Sequence, residues 1–376
     1  MKIIKNQRLA AVSCRGLLIT IAALLSLCME AQHLSPCGNF VSPTDKNIQY
    51  VGRINFSNPE RPYFVYPGVQ IIASFQGTSL RMMAKPESGY FMVQIDEAEP
   101  FKVAFRGQQD SIVSLATALP KGTHRAHITY CIEGYELRPE FRGFWLDKGC
   151  QLVASPPLPD RRIEFIGNSI TCGYGVESTN PSEHFSYETE NHYYTYAART
   201  ARALGAQYQV VARSGIGIYR NYDGPKTGNS DNMPNEYPYT NYHDKSQLWD
   251  FSRFTPDVVC INLGTNDTST GTADQKRLEK AYGDFLKTLR SKYPQAKIVF
   301  LTGAMLNGKE LSIVKAALDK VANDAHHQGD ENVYRFDMTP QNGDLMIGAD
   351  WHPSVWQQEK MGHELTGYLR GLMKWF

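Results

Sequence analysis

Residues 161–178 read RRIEFIGNSITCGYGVES, a short apolar run that passes into a turn of small and polar residues. The run predicts a β-strand, and the glycine after it permits a sharp turn into a helix. Ser169 lies in that turn, so its hydroxyl would stand at the carboxyl end of the strand. On this pattern alone, Ser169 is either a nucleophile or a polar turn residue that caps a short helix.

The chain that follows this stretch alternates strands and helices. Strands are predicted at YQVVARSG, DVVCINLG, KIVFLTGAM and NVYRFDMT, with helical segments between and after them. The run DVVCINLG is apolar nearly throughout, which is typical of a strand buried on both faces of a parallel sheet. Successive β-α units predict a flavodoxin-like, doubly wound α/β domain over residues 161–376, with its ligand crevice at the carboxyl ends of the strands.

The preceding residues 36–154 have a different pattern. Short β-branched and aromatic runs are separated by Pro-Gly, Gln-Gly and Ser-Gly breaks, and no helical period is visible. This pattern predicts an all-β sandwich. The segment SPPLPD, residues 155–160, is a proline-rich linker, because proline fits neither a sheet interior nor a helix.

Residues 1–31 have the pattern of an export signal. Basic residues precede the apolar run GLLITIAALLSLC, which is short for a bilayer span, and small residues follow it near Ala31. The mature chain is therefore expected in the periplasm or outside the cell, with no transmembrane segment. Two alternatives are an uncleaved anchor and a lipoprotein whose lipid is carried by Cys28.

Composition restricts the classes of partner. A formal net charge of +1, without a basic run, does not favour binding to nucleic acid or to an anionic membrane. The seven cysteines form neither a CxxC pair nor a zinc-binding pattern. We expect a monomer that needs no metal and no cofactor.

Two further polar stretches follow predicted strands. NLGTND, residues 262–267, places the Asn266 amide after the most apolar strand, and GADWHPS, residues 348–354, contains Asp350 and His352. Asp350 is close enough in sequence to accept the Nδ1 proton of His352, which would leave Nε2 free as a base. NLGTND could also be an ordinary Asx-turn or helix cap with no further role. The doubly wound topology, however, brings both to the crevice that holds Ser169.

The order GNSIT, SGIGIYR, GTN and DWHP resembles the four sequence blocks of the SGNH (GDSL-like) hydrolases. Together with the preceding β half, the chain resembles carbohydrate esterase family 2, whose acetyl esterases pair an N-terminal jelly-roll domain with an SGNH domain. The resemblance implies that Ser169 is the nucleophile and His352 the base. It also implies an oxyanion hole made by the N–H groups of Ser169 and Gly215 and by the Asn266 amide.

The chain departs from the usual family pattern at two positions. Asn168 stands where many relatives have aspartate, a change that touches neither nucleophile nor base. The usual spacing Asp-x-x-His is absent, because Ala349 is the third residue before His352. Asp350 is therefore the candidate for orienting His352, and a backbone carbonyl is the alternative.

The resemblance implies an O-acetylesterase that acts on xylan- or mannan-type polysaccharides or on acetylated sugars through a Ser-His-Asp acyl-enzyme mechanism. Candidate sugar contacts are Trp351, beside the base, and Tyr219 and Tyr222 in the insert 219–244. Alternatively, these aromatic residues pack the insert onto the β half. Other functions that we consider are a lipase, a thioesterase, a sialate-type deacetylase and a carbohydrate-binding protein with a degenerate esterase domain. The polar insert argues against the apolar acyl channel of a lipase.

Overall fold

An antiparallel β sandwich is followed by an α/β layer in the computed structural model, which describes residues 38–107, 112–271 and 273–376. The predicted export signal at 1–31, including Cys28, lies outside the described residues. Gly38–Phe376 forms one compact unit. The two kinds of architecture follow the change of sequence pattern near residue 160.

The β half contains two antiparallel sheets. Their strands are β1 Asn39–Val41, β2 Ile48–Val51, β3 Gln70–Gly77, β4 Leu80–Ala84, β5 Gly89–Ile95, β6 Phe101–Phe105, β7 Ile112–Ala116, β8 Gly122–Tyr130, β9 Phe141–Leu146 and β10 Leu152–Val153. One sheet has the order β1-β9-β4-β7, and the other has the order β10-β3-β8-β5-β6 with β2 beside β3. Inward-facing aromatic side chains, such as Phe75, Phe91 and Phe105, fill the core. The predicted β sandwich is confirmed.

The α/β half is built on a parallel sheet with the order β12-β11-β15-β16-β17. Its strands are β11 Arg162–Gly167, β12 Gln207–Ala212, β15 Val258–Asn262, β16 Lys297–Thr302 and β17 Val333–Asp337. A separate hairpin is formed by β13 Tyr239–Asn241 and β14 Asp244–Leu248. All five residues of β15 are buried, as its apolar sequence predicted.

Helices cover both faces of this sheet. They are α1 Ser169–Cys172, α2 Tyr196–Ala203, α3 Met233–Glu236, α4 Gln275–Lys292, α5 Gly308–His327 and α6 Val355–Met373, with short 3-10 turns at His192–Tyr194, Phe251–Arg253, Ser269–Gly271 and Ala349–Trp351. α2 and α6 pack on one face, and α4 and α5 on the other. Helix α4 shows why: its buried residues Leu278, Tyr282 and Phe285 recur every three or four positions, so one apolar stripe faces the sheet. The predicted doubly wound fold is confirmed.

The strand order places the loops of the predicted site at one edge of the sheet. β12 and β15 flank β11 on opposite sides, and Gly167 at the end of β11 is in register with Ala212 and Asn262. The chain reverses its direction of winding here, which opens a crevice beyond the carboxyl ends of the strands. The loops after these three strands carry Ser169, Gly215 and Asn266.

Buried polar contacts join the β half to the α/β half. Arg53 is fully buried, lies 3.4 Å from the Glu164 carboxylate and donates from Nη1 to the Tyr239 carbonyl at 2.8 Å. The Tyr63 hydroxyl donates to Asp244 at 2.5 Å. Tyr239 and Asp244 belong to the insert 219–244, so this end of the insert packs onto the β half. This was the alternative interpretation of its aromatic residues.

Two further features of the described part of the chain concern its helices and its cysteines. None of the helices found there is both long and apolar enough to cross a membrane. The cysteines that it contains, Cys131, Cys150, Cys172 and Cys260, are free thiols.

Candidate active site

The predicted nucleophile and base are in hydrogen-bonding contact. The Ser169 Oγ lies 2.8 Å from the His352 Nε2, although the two residues are 183 positions apart in the chain. Ser169 is the first residue of α1, and the Asn168 side chain caps this turn by accepting the Ile170 N–H at 3.1 Å. A Cβ atom at Gly167 would lie 2.0 Å from the Thr171 Oγ1, so only glycine allows the Thr171 side chain to pack this closely against the end of the strand.

Backbone carbonyl groups hold the other nitrogen of the histidine. The His352 Nδ1 lies 3.1 Å from the carbonyl oxygens of both Ala349 and Asp350. Because a carbonyl can only accept, Nδ1 carries the proton, and Nε2 is free to accept the Ser169 hydroxyl proton. The Tyr174 ring stacks on the imidazole with its centroid 4.1 Å away.

The prediction that the Asp350 carboxylate orients His352 is wrong in this structure. That carboxylate accepts hydrogen bonds from the Tyr174 hydroxyl at 2.5 Å, from the His184 Nδ1 at 2.9 Å and from the Phe185 N–H at 3.2 Å. The physical reason is the backbone: Asp350 and Trp351 have φ of +46° and +63°, which turns the side chain of Asp350 away from the imidazole. Asp350 therefore anchors the loop whose carbonyl groups contact Nδ1.

Burial controls the protonation of the base. The loss of water around the imidazole lowers the pKa of His352 to about 4, although the two carbonyl acceptors oppose this shift. Burial would raise the pKa of Asp350, but hydrogen bonds from Tyr174 and His184 outweigh it and hold that pKa below its usual value. At neutral pH the site thus contains a neutral imidazole and an ionised carboxylate that is kept away from it.

The predicted oxyanion donors lie around the same cleft. Gly215 and Asn266 line it together with Ser169. Asn266 donates one amide hydrogen to the Ile216 carbonyl at 2.8 Å, which fixes the amide and leaves its second hydrogen available. Gly215 has φ of +74°, a backbone conformation that favours glycine. The structure therefore brings together the residues predicted for the nucleophile, the base and the oxyanion hole.

The cleft has a volume of about 650 Å³ and an aromatic rim. Trp351 and Tyr222 both line it, and they are 60% and 65% exposed. The prediction that Tyr219 contacts sugar is wrong, because this residue is only 7% exposed and its side chain packs in the core between sheet and helices. Of the three candidate sugar contacts, only Trp351 and Tyr222 are therefore exposed at the rim of the cleft, where a sugar could stack on them.

Sequence reasoning missed several lining residues. These are Tyr174, Ser214, Thr265, Ser269, Thr270 and Met305. Met305 is the last residue of the predicted strand KIVFLTGAM and lies just past β16, so the rule that placed the other loops at the crevice could have found it. Tyr174 lies past the short helix α1 and carried no comparable signal.

One buried group among the described residues has the side-chain types of a metal site. Ligand atoms of Glu133, Cys172 and Glu190 all lie within 4.8 Å of one another. None of these three residues lines the Ser169 cleft. Ser169, His352 and the predicted oxyanion donors therefore line a cleft to which these three side chains do not contribute a surface.

Two family models match the chain. The model described as "Carbohydrate esterase 2 N-terminal" matches residues 50–156, and the model described as "GDSL-like Lipase/Acylhydrolase family" matches residues 165–358. The two matches fall on the β half and on the α/β half, respectively.

Characterised relatives cover most of the chain. It is 32% identical over 364 residues to an "Acetylxylan esterase / glucomannan deacetylase" of Cellvibrio japonicus, an alignment covering 96% of this chain and 98% of that protein. It is 36% identical over 337 residues to "Cellulase/esterase CelE" of Acetivibrio thermocellus, covering 89% of this chain but only 41% of that longer protein. A solved family two carbohydrate esterase from Clostridium thermocellum, in complex with cellohexaose, has a TM-score of 0.81 at 36% identity and covers 88% of this chain and 100% of that one. The chain belongs to carbohydrate esterase family 2.

Proposed function

We propose that this protein is a carbohydrate O-acetylesterase that removes acetyl groups from xylan- or mannan-type polysaccharides. The observation that carries the proposal is the 2.8 Å contact between Ser169 and His352 at the base of a cleft with an exposed aromatic rim. The Cellvibrio japonicus relatives, named acetylxylan esterase and glucomannan deacetylase, support the substrate class.

The first half of the reaction forms an acyl-enzyme. His352 accepts the Ser169 proton at Nε2 while the Ser169 Oγ attacks the acetyl carbonyl carbon. The tetrahedral intermediate then collapses, and the same histidine returns the proton to the sugar oxygen that leaves. The second half repeats these steps with water as the nucleophile, releasing acetate and restoring the serine.

Negative charge on the tetrahedral oxygen is stabilised by donors that are already in place. These are the N–H groups of Ser169 and Gly215 and the free hydrogen of the Asn266 amide. The Asn266 amide does not need to reorganise, because its other hydrogen is bound by the Ile216 carbonyl. Fixed donors of this kind supply much of the rate enhancement in acyl transfer.

The backbone carbonyl groups of Ala349 and Asp350 take the place of a triad carboxylate. They hold the Nδ1–H tautomer and stabilise the imidazolium that forms when His352 accepts the proton. A carbonyl dipole stabilises this charge less than a carboxylate does, which agrees with a base that is neutral at neutral pH. The catalytic unit is therefore a Ser169–His352 dyad supported by backbone.

The comparison of wild type with Ser169→Ala tests this assignment. We expect the wild type to release p-nitrophenol from p-nitrophenyl acetate and the variant to lose this activity. Ser182→Ala, in an exposed loop, is the matched control and should retain it. Equal hydrolysis by wild type and Ser169→Ala would refute the assignment.

Substrate panels then test the carbohydrate. Acetate release from acetylated xylan and glucomannan is expected, with little activity on long-chain esters. Activity on long-chain esters alone would favour the lipase alternative instead.

The cellular location and the oligomeric state stay predictions. The basic and apolar pattern of residues 1–31 supports export followed by cleavage. N-terminal sequencing of protein secreted by the native host would show whether the first residues are removed. Light scattering on the purified protein would show whether it is a monomer.

A further inference from the structure

Two buried carboxyl groups meet behind the cleft wall. Glu133 follows β8 in the β half, and Glu190 precedes the turn at His192–Tyr194 in the α/β half. Their exposed fractions are 3% and 0%. Carboxylates are rarely buried this completely unless a specific set of partners holds them.

Glu133 reaches the oxyanion loop. Its carboxylate accepts the Ser214 N–H at 2.6 Å and also accepts the Ser214 hydroxyl. Ser214 lines the cleft and immediately precedes Gly215, the proposed oxyanion donor. A residue of the β half thus fixes the orientation of the peptide group next to that donor.

Glu190 supports Glu133 from behind. The Glu133 N–H donates to the Glu190 Oε2 at 3.1 Å. The Glu190 Oε1 is buried, and no donor among the described residues is directed at it. A buried ionised oxygen without a donor is costly, but a protonated Oε1 can donate to the Glu133 carboxylate.

The surrounding charges do not neutralise both carboxyl groups. Two cations whose charges act on these carboxyl groups are already paired, Lys102 with Glu177 and Arg213 with Asp231 at 3.6 Å. Burial, followed by the negative charge of Glu133, raises the pKa of Glu190 well above its usual value. Burial also raises the pKa of Glu133, although the hydrogen bonds from Ser214 oppose this shift. Tyrosine hydroxyls and cysteine thiols also face the pair, and burial raises their pKa values, so they stay protonated and carry no charge. They are Tyr130, Cys131, Tyr135, Cys172, Tyr174 and Tyr187.

We propose that Glu133 is a positioning residue of the oxyanion hole, held in place by the buried Glu190 carboxyl group, which accepts its N–H. The Glu133 carboxyl group binds both donors of Ser214, so that the N–H of Gly215 faces the acetyl oxygen bound at Ser169. Through this contact the β half takes part in catalysis without lining the cleft. The inference rests on the proposed esterase function.

Glu133→Gln tests the positioning role. The amide cannot accept from both the N–H and the hydroxyl of Ser214, so we expect kcat on p-nitrophenyl acetate to fall by about 100-fold, as a small misplacement of a catalytic group does. KM should change little. Binding of a boronic acid, which forms a tetrahedral adduct with the serine, should weaken by a similar factor, whereas a merely structural residue would not affect tetrahedral binding selectively.

Controls make the result decisive. Glu188→Gln changes an exposed carboxylate that pairs with Arg106 and should behave as wild type. If Glu133→Gln does not fold, Ser214→Ala removes the hydroxyl donor to Glu133 and should still lower kcat at constant KM. A Glu133→Gln or Ser214→Ala variant with wild-type kcat and boronate affinity would overturn the proposal. Loss of activity in Ser169→Ala alone would still support the esterase function.

Glu190→Ala tests the support that Glu190 gives to Glu133. The substitution removes the oxygen that accepts the Glu133 N–H, so we expect kcat to fall at constant KM, in the same direction as in Glu133→Gln. A folded Glu190→Ala protein with wild-type kcat would overturn this part of the proposal. So would a stoichiometric metal in the purified protein whose chelation abolishes activity, because Glu133 and Glu190 would then be its ligands.

Discussion

Replacing Asp350 distinguishes a backbone-supported dyad from a Ser-His-Asp triad. In Asp350→Asn, one side-chain oxygen can still accept from Tyr174 and Phe185, because both donate to the Oδ2 of the aspartate. The substitution removes the carboxylate oxygen that contacts the Nδ1 of His184, whose side chain is 91% exposed. Such a solvent-screened pair contributes at most about 1 kcal/mol, so kcat should fall by less than about fivefold.

Asp350→Ala removes the carboxylate and with it the hydrogen bonds from Tyr174, His184 and Phe185. Each hydrogen bond contributes about 1 kcal/mol net, and alanine is also disfavoured at φ of +46°. These contributions add to about 4–5 kcal/mol of lost anchoring for the loop that carries the Ala349 and Asp350 carbonyl groups, which sets an upper limit of about 1,000- to 5,000-fold on the loss in kcat. The alanine variant should therefore be clearly slower than the asparagine variant.

The assay is the measurement of kcat and KM on p-nitrophenyl acetate for both variants, with thermal unfolding as a check of folding. Asp344→Asn, an exposed change in the same segment, is the matched control. In a triad, the asparagine substitution lowers kcat by about 10,000-fold. A loss of about 1,000-fold or more in a folded Asp350→Asn protein would refute the carbonyl assignment.

Three further predictions concern the base, the oxyanion hole and the rim of the cleft. Protonation at Nε2 prevents His352 from accepting the serine proton, so kcat/KM should fall on the acid side with a midpoint near the pKa of about 4. A midpoint near about 6.5, the value of an unperturbed histidine, in a protein that is still folded would contradict this. Asn266→Ala should lower kcat by about 100- to 1,000-fold with little change in KM, and a change confined to KM would contradict its role. Trp351→Ala should raise KM for acetylated polysaccharide by about 2- to 10-fold, while kinetics on p-nitrophenyl acetate stay near those of wild type. An equal effect on both substrates would exclude sugar stacking.

Much of the fold followed from sequence patterns, because the two halves differ in periodicity. The apolar run ending at Asn262 indicated a strand buried on both faces of a parallel sheet. Because ligand sites in such sheets lie at the carboxyl ends of the strands, Ser169, Gly215 and Asn266 were then expected at one crevice. These positions depend on topology, which a single sequence conveys well when strands and helices alternate.

Positions that depend on local backbone or on contacts between the halves were not predictable. The spacing of Asp350 and His352 suggested a side-chain contact, but two residues with positive φ direct that carboxylate elsewhere. Tyr219 looked equivalent to Tyr222 in the insert, yet only packing decides that one is buried and the other exposed. Glu133 lies in a run of β-sheet sequence, and nothing in that run links it to Ser214.

The central claim is that Ser169 carries the acetyl group during catalysis. The most direct measurement is rapid acid quenching during turnover of p-nitrophenyl acetate, followed by digestion and mass spectrometry of the peptide that contains Ser169. We expect an acetylated Ser169 in the wild type and no acetylated peptide in Ser169→Ala. Acetyl transfer to a different residue, or full turnover by Ser169→Ala, would contradict the account.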